Sequence, residues 1–150
     1  GGKWTTYRKM GEDTINTAAV VAGLKEIKCK TKKLMLHGYD DDAPTEDPLH
    51  VYGSDRKKIL SMGKSEDNNS LSKKFYISKN TILWGVQNEM AIHLEDILAR
   101  RMRCLFLDAK ETLRIAPIVT EIMATALQKD KNWIVKELKQ FKTITQNYIL

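Results

Sequence analysis

Apolar residues recur every three to four positions over two long stretches of this 150-residue chain and lose that rhythm between them. Over residues 6–24, Tyr7, Met10, Ile15, Ala18, Ala19 and Ala22 keep to one stripe. Thr5 or Thr6 stands where a helix cap belongs and Gly23 where one stops, which predicts a first helix weakened a little by Gly11. "CKTKKLMLHGY" then reads as extended near residues 29–37, and "DDDAPTEDP" as an exposed acidic loop. Ser54–Met62 predicts a short helix closed by Gly63, and "KSEDNNSLSKK" a mobile surface loop.

The rhythm returns at Ser78, which caps a helix reaching Met90 with Ile82, Leu83, Val86 and Met90 on one face. His93 marks a turn into "LEDILARR", "MRCLF" interrupts, and Asp108 with Glu111 restarts a helix as a capping box does. Pro117 predicts a kink or the first position of a new helix. Asp130 caps a last helix whose Trp133, Ile134, Leu138, Phe141, Ile144 and Tyr148 face the core. The sum is a mainly α fold of five or six helices with a short extended segment near residues 29–37.

Composition adds limits. No apolar run approaches the roughly 20 residues of a membrane span. There is neither a signal-peptide pattern nor an initiator Met, so a piece of a longer chain is expected. The net charge of +6 is gathered unevenly: residues 1–33 hold eight Lys/Arg against three acids, while "DDDAPTED" holds five acids and no base. Elsewhere basic and acidic residues interleave along helical faces, without the aromatic-studded basic stripe of a nucleic-acid binder, so no nucleic-acid partner is expected. Anionic lipid head groups or an acidic neighbouring domain account for the excess equally well.

No catalytic constellation is complete. His37, His50 and His93 lack ligand spacing, Cys29 and Cys104 read as separate reduced thiols, and no metal site is expected. The acidic loop lacks the calcium-loop spacing, and no GxGxxG or GxxxxGK motif offers a self-contained nucleotide site. Arg100, Arg101 and Arg103 suit either a helix C-terminus or salt bridges to another domain. The opening "GGKWTTYRKMGEDTIN" is different: Gly1 and Gly2 let backbone approach a ligand, and Lys3 adds a charge beside the free N–H groups of a helix start.

That opening resembles "GGKxTTYRxMAE" of the FAD-dependent glycerol-3-phosphate dehydrogenases and the related alpha-glycerophosphate oxidases. "HVYGSDRKKIL" and "HLEDILARRMRCLFLDAKETL" are similar to that family's "L…YGSxAxxIL" and "TLxDxLxRRTRLxFLDAxxAL" stretches, in the same order. "NTILWGVQNEM" follows its "EIxYAVRxEx" loosely and lacks the arginine; Gly11 replaces Ala and Met102 replaces Thr. The resemblance implies residues 1–28 as the last piece of an FAD-binding domain, 29–49 as linker and acidic loop, and 50–150 as a helical C-terminal cap domain.

It also implies that the whole enzyme oxidises sn-glycerol 3-phosphate to dihydroxyacetone phosphate, with hydride passing from substrate C2 to flavin N5 and electrons onward to quinone or oxygen. By the same resemblance Lys3 lies between flavin and substrate, and Gly2, Lys3, Trp4 and Thr5 line the flavin's pyrimidine edge. The FAD fingerprint and general base lie outside these residues, so no catalytic residue is expected here, nor FAD binding or turnover by the piece alone. The implied partners are the remaining domains of the same chain and a homo-oligomer, in the cytoplasm at the inner face of a membrane. The residues' own reading leaves a second possibility, a free-standing basic helical module binding protein or nucleic acid.

Overall fold

A computed structural model of the chain describes residues 2–149. They form six α-helices with no regular strand among the described residues: α1 (Tyr7–Val21), α2 (Arg56–Leu60), α3 (Lys79–Asn88), α4 (Cys104–Leu107), α5 (Ala109–Ala126) and α6 (Lys131–Thr145). A wider i→i+5 segment, Asp96–Arg101, stands between α3 and α4. The chain divides into two compact units, Gly1–Tyr39 and Asp40–Leu150.

The first unit is α1 followed by irregular chain. Gly23, at φ +65, lets the chain close α1 with Gly23 N–H on the Val20 carbonyl and Leu24 N–H on the Ala19 carbonyl. Residues 24–36 are non-helical except for a single 3₁₀ turn, Thr31–Lys33, inside the segment expected to be extended. No residue of α1 is buried. Ile15, Val21, Leu24 and Ile27 are all at least two-thirds exposed.

The second unit has the core. α5 packs against α6 and α3, and Ile82, Leu94, Ile97, Leu98, Ile115, Val119, Met123 and Phe141 lie between them with at most 1% exposure. Each such side chain contributes about 1.5–3 kcal/mol through burial. The helix starts follow from local chemistry. Ser78, Asp108 and Asp130 each accept the backbone N–H three residues on, from Thr81, Glu111 and Trp133. A smaller cluster of Leu49, Ile59 and Trp84 seats α2 and the 3₁₀ turn His50–Asp55 against α3.

Four expectations change. α3 ends at Asn88, and Met90 sits in left-handed backbone, 84% exposed, because the chain turns there into Ala91 and Leu94. Tyr148, expected in the core, is 48% exposed and meets Phe106 edge-on with centroids 5.5 Å apart. Pro117 neither starts a helix nor divides α5, which runs on to Ala126. The polar segment after Gly63 is pinned: Ser72 Oγ donates to Glu111 Oε1 at 2.6 Å, Lys74 pairs with Asp108, and Asn80 Nδ2 donates to Asn68 Oδ1.

Candidate functional site

Gly2, Lys3, Trp4 and Thr5 lie together at the turn that delivers α1, and all four are exposed. Gly1 lies outside the described residues. The turn closes through Thr6, whose N–H donates to the Lys3 carbonyl at 3.0 Å and whose hydroxyl donates to the same oxygen at 3.3 Å. Thr6 occupies the cap position but makes no side-chain cap bond. The amides of the first turn of α1 therefore meet no capping side chain. Trp4 stacks in a tilted fashion on Tyr7, centroids 5.5 Å apart, and Gly2 lies beside the Met10 thioether.

Behind this turn, α1 and residues 27–36 of the same unit enclose a groove of about 760 Å³. Its walls include Tyr7, Ile15, Ile27, Leu34 and Leu36, with Lys28, Lys30 and Lys32 at the rim. Also along it, Arg8 Nη1 bonds Glu12 Oε2 at 2.6 Å and Thr31 Oγ1 at 3.3 Å. The Glu12 bond holds the Arg8 guanidinium above its ordinary pKa, and Arg8 holds the Glu12 carboxyl below its own. Lys9 pairs with Asp13 at 2.8 Å, so the first two cations within α1 are matched by acids one turn on. Cys29 lies 3.0 Å from Thr31 Oγ1; that hydrogen bond lowers its pKa, with a smaller contribution from Arg8. Cys104 is buried, and burial pushes its thiol up to about 12. Both cysteines are free thiols.

Arg103 apart, the remaining sequence candidates have structural partners. Arg100 pairs with Glu95 at 2.8 Å and Asp96 at 3.0 Å, and Arg101 donates to the carbonyl of Glu89 at the end of α3, the helix C-terminus role. Asp47 of the acidic loop accepts Leu49 N–H and pairs with Arg56 at 2.5 Å, and these bonds lower its pKa in that order. His93 and the Leu94 amide both bond the buried Glu137 carboxylate at 2.9 Å. No group of His, Cys, Asp and Glu among the described residues is arranged to hold a metal. Nor is any described helix long and apolar enough to cross a membrane.

One feature escapes sequence reading. Tyr52 and Tyr76 share a cavity of about 460 Å³ with Glu89 and Arg100–Arg103, although 51 residues separate Tyr52 from Arg103. No spacing rule joins residues so far apart; the fold brings them together.

The chain matches the family model "C-terminal domain of alpha-glycerophosphate oxidase" over residues 29–133. It is 31% identical to the mitochondrial glycerol-3-phosphate dehydrogenase of Mesocricetus auratus, over 85% of this chain and 20% of that protein. A probable mitochondrial glycerol-3-phosphate dehydrogenase of Dictyostelium discoideum is 30% identical over 99% of this chain and 26% of its own length. The human mitochondrial enzyme is 30% identical over 87% and 21%. This chain thus spans about a fifth to a quarter of the length of these relatives. No solved structure matches it. None of these likenesses supports a free-standing basic interaction module. By the family match over most of its length, the chain belongs to the family of the C-terminal domain of alpha-glycerophosphate oxidase.

Proposed function

We propose that the chain is the C-terminal part of an FAD-dependent enzyme that oxidises sn-glycerol 3-phosphate to dihydroxyacetone phosphate, passing electrons to quinone or oxygen. The observation that carries this reading is the turn Gly2–Thr6, in a chain of this family: an exposed lysine beside a helix start whose amides no side chain caps. Those residues fit one edge of a flavin, since Gly2 leaves the backbone open and Lys3 offers a positive charge. Bound FAD would supply the two-electron acceptor for the substrate.

The chain's own residues act around it. The backbone of Gly2, Lys3, Trp4 and Thr5 lines the pyrimidine edge, and Lys3 with the first-turn dipole of α1 stabilises negative charge there. Residues 1–28 close the FAD domain, 29–49 link, and 50–150 form a helical cap that turns nothing over by itself. The cap supports the catalytic domains and assembly into a homo-oligomer. The enzyme lies peripherally at the inner face of a membrane, and the relatives' names point to the mitochondrion as its compartment.

In the full-length enzyme, Lys3→Ala lowers kcat/KM for glycerol 3-phosphate by about 10²-fold, the scale of losing one charge-stabilising donor. Flavin content and the thermal midpoint stay within error of the native enzyme. Unchanged kinetics remove Lys3 from the site.

A further inference from the structure

We propose that the cavity between Tyr52 and Arg103 in the second unit is a binding site for a small oxyanion of the phosphate class, free or as a monoester, with the Arg103 guanidinium and the Tyr52 hydroxyl as its donors.

Three observations lead there. The first is the backbone. Arg103 sits at φ +57 and ψ +15, the left-handed region that a residue with a Cβ enters at a cost and glycine enters freely. Strain of this kind gathers where a side chain is held for use. The second is what the cavity's charges already do. Arg100 is taken up by Glu95 and Asp96, and Arg101 by Glu89. Arg103, among the described residues, has no ion pair and no side-chain hydrogen bond. Its charge is therefore the one in the cavity left without a counter-ion. A guanidinium presents five N–H donors in a planar fork, the geometry that phosphate oxygens accept.

The third observation is the hydroxyl. Tyr76 O–H donates to the Asn68 carbonyl and Thr81 O–H to the Ser78 carbonyl, so both are spent. Tyr52 O–H meets only the Met102 sulfur, at 3.9 Å, a weak acceptor at long range. Burial raises the Tyr52 pKa, so the phenol keeps its proton and stays a donor. A half-buried donor with no good partner lines the same cavity as an unpaired cation. Pro48, Leu49 and Val51 supply an apolar wall for the organic part of a monoester. The inference does not depend on the flavoenzyme reading.

The test uses the 150-residue chain. Inorganic phosphate is titrated by calorimetry at constant ionic strength, with tryptophan fluorescence as a second signal. Native protein is expected to saturate in the millimolar range. Arg103→Gln weakens binding at least tenfold, and Tyr52→Phe, which keeps the ring, weakens it severalfold. Arg103→Gly abolishes binding and raises the thermal midpoint, because glycine adopts this backbone without strain. This last variant separates loss of the donor from loss of the fold. Lys110→Gln, outside the cavity, leaves the isotherm unchanged. The proposal is overturned if chloride at matched ionic strength gives the same signal, or if Arg103→Gln and Arg103→Gly bind phosphate as the native chain does.

Discussion

At Gly85 α3 closely approaches the segment after it, and that approach predicts a measurable coupling. A Cβ built on Gly85 would stand 2.6 Å from Ile97 Cδ1, with Ala91 Cβ at 3.9 Å. Ile97 is fully buried, so its side chain has little room to withdraw. Gly85→Ala therefore combines a helix-propensity gain of about 1 kcal/mol with an overpacking cost of about 1–3 kcal/mol. The single variant is expected to lose about 0–2 kcal/mol. Ile97→Val removes the offending carbon and costs about 0.5–1.5 kcal/mol on its own. In the double variant the new methyl occupies the space that Cδ1 vacates. The clash vanishes, most of the cavity is filled, and the propensity gain survives. The double variant should match or slightly exceed native stability, with a favourable coupling of about 1–2 kcal/mol. Urea unfolding followed by far-ultraviolet circular dichroism measures all four corners of this cycle. Additivity within about 0.5 kcal/mol would refute the close approach. The related pattern "EIxYAVRxEx" carries Ala at this place.

Two further outcomes are expected. Stability falls as pH drops from about 4.5 toward 2, because several carboxylates titrate lower in the fold than the ordinary value near 4. Glu111 is held at about 2 by Arg114 and then Ser72, Asp67 is lowered by the Lys64 amide and then Lys79, and Asp108 by the Glu111 amide and then Lys74. Depressed folded-state values stabilise above the unfolded pKa and lose that contribution on acidification, so urea midpoints constant down to pH 2.5 would contradict these pairings. Hydrogen exchange provides the second outcome. α1 buries none of its residues, and a lone 15-residue helix is marginal in water, so in the 150-residue chain its amides should exchange within about tenfold of unstructured rates. Amides of α5 should require global opening; equal protection in α1 and α5 would show that α1 is covered.

The helix starts were legible because capping is local. Ser78, Asp108 and Asp130 each act on an amide three residues away, so the sequence holds donor and acceptor together. Positions set by tertiary balance were not. Pro117 removes a backbone bond at a cost of about 3 kcal/mol, yet α5 buries Ile115, Ala116, Val119 and Met123 around it, and that burial outweighs the loss. Met90 fits the apolar stripe, but the turn that buries Ala91 and Leu94 swings it outward. The polar stretch after Gly63 lacks apolar anchors and reads as loose, while its order comes from Glu111, Asp108 and Asn80, residues 12 to 39 positions away. The same distance hid the Tyr52–Arg103 cavity. The opening turn was legible as a helix start; that it faces an anion belongs to the proposal, and its link to flavin came from resemblance.

Periodicity identifies the face of a helix that seeks a cover, and says nothing about where the cover is. α5 and α1 show the difference within one chain. Both carry apolar stripes, but the stripe of α5 is buried against α3 and α6, whereas Tyr7, Met10 and Ile15 of α1 remain about half to two-thirds exposed. Downstream of α1, Leu24, Ile27, Leu34, Met35 and Leu36 are also mostly exposed, beside Lys25, Lys28, Lys30, Lys32 and Lys33. Covering a large apolar side chain is worth about 1.5–3 kcal/mol, so ordering this surface against a partner would release enough free energy to fix an otherwise marginal helix. In the proposed flavoenzyme, the rest of the FAD domain is that partner. The order of α1 and the placement of Lys3 would then arise from one docking event, since the stripe that seeks a cover and the turn that carries the lysine belong to the same short helix. A cap that lost this contact would keep the packed core of its second unit and lose the geometry of the opening turn.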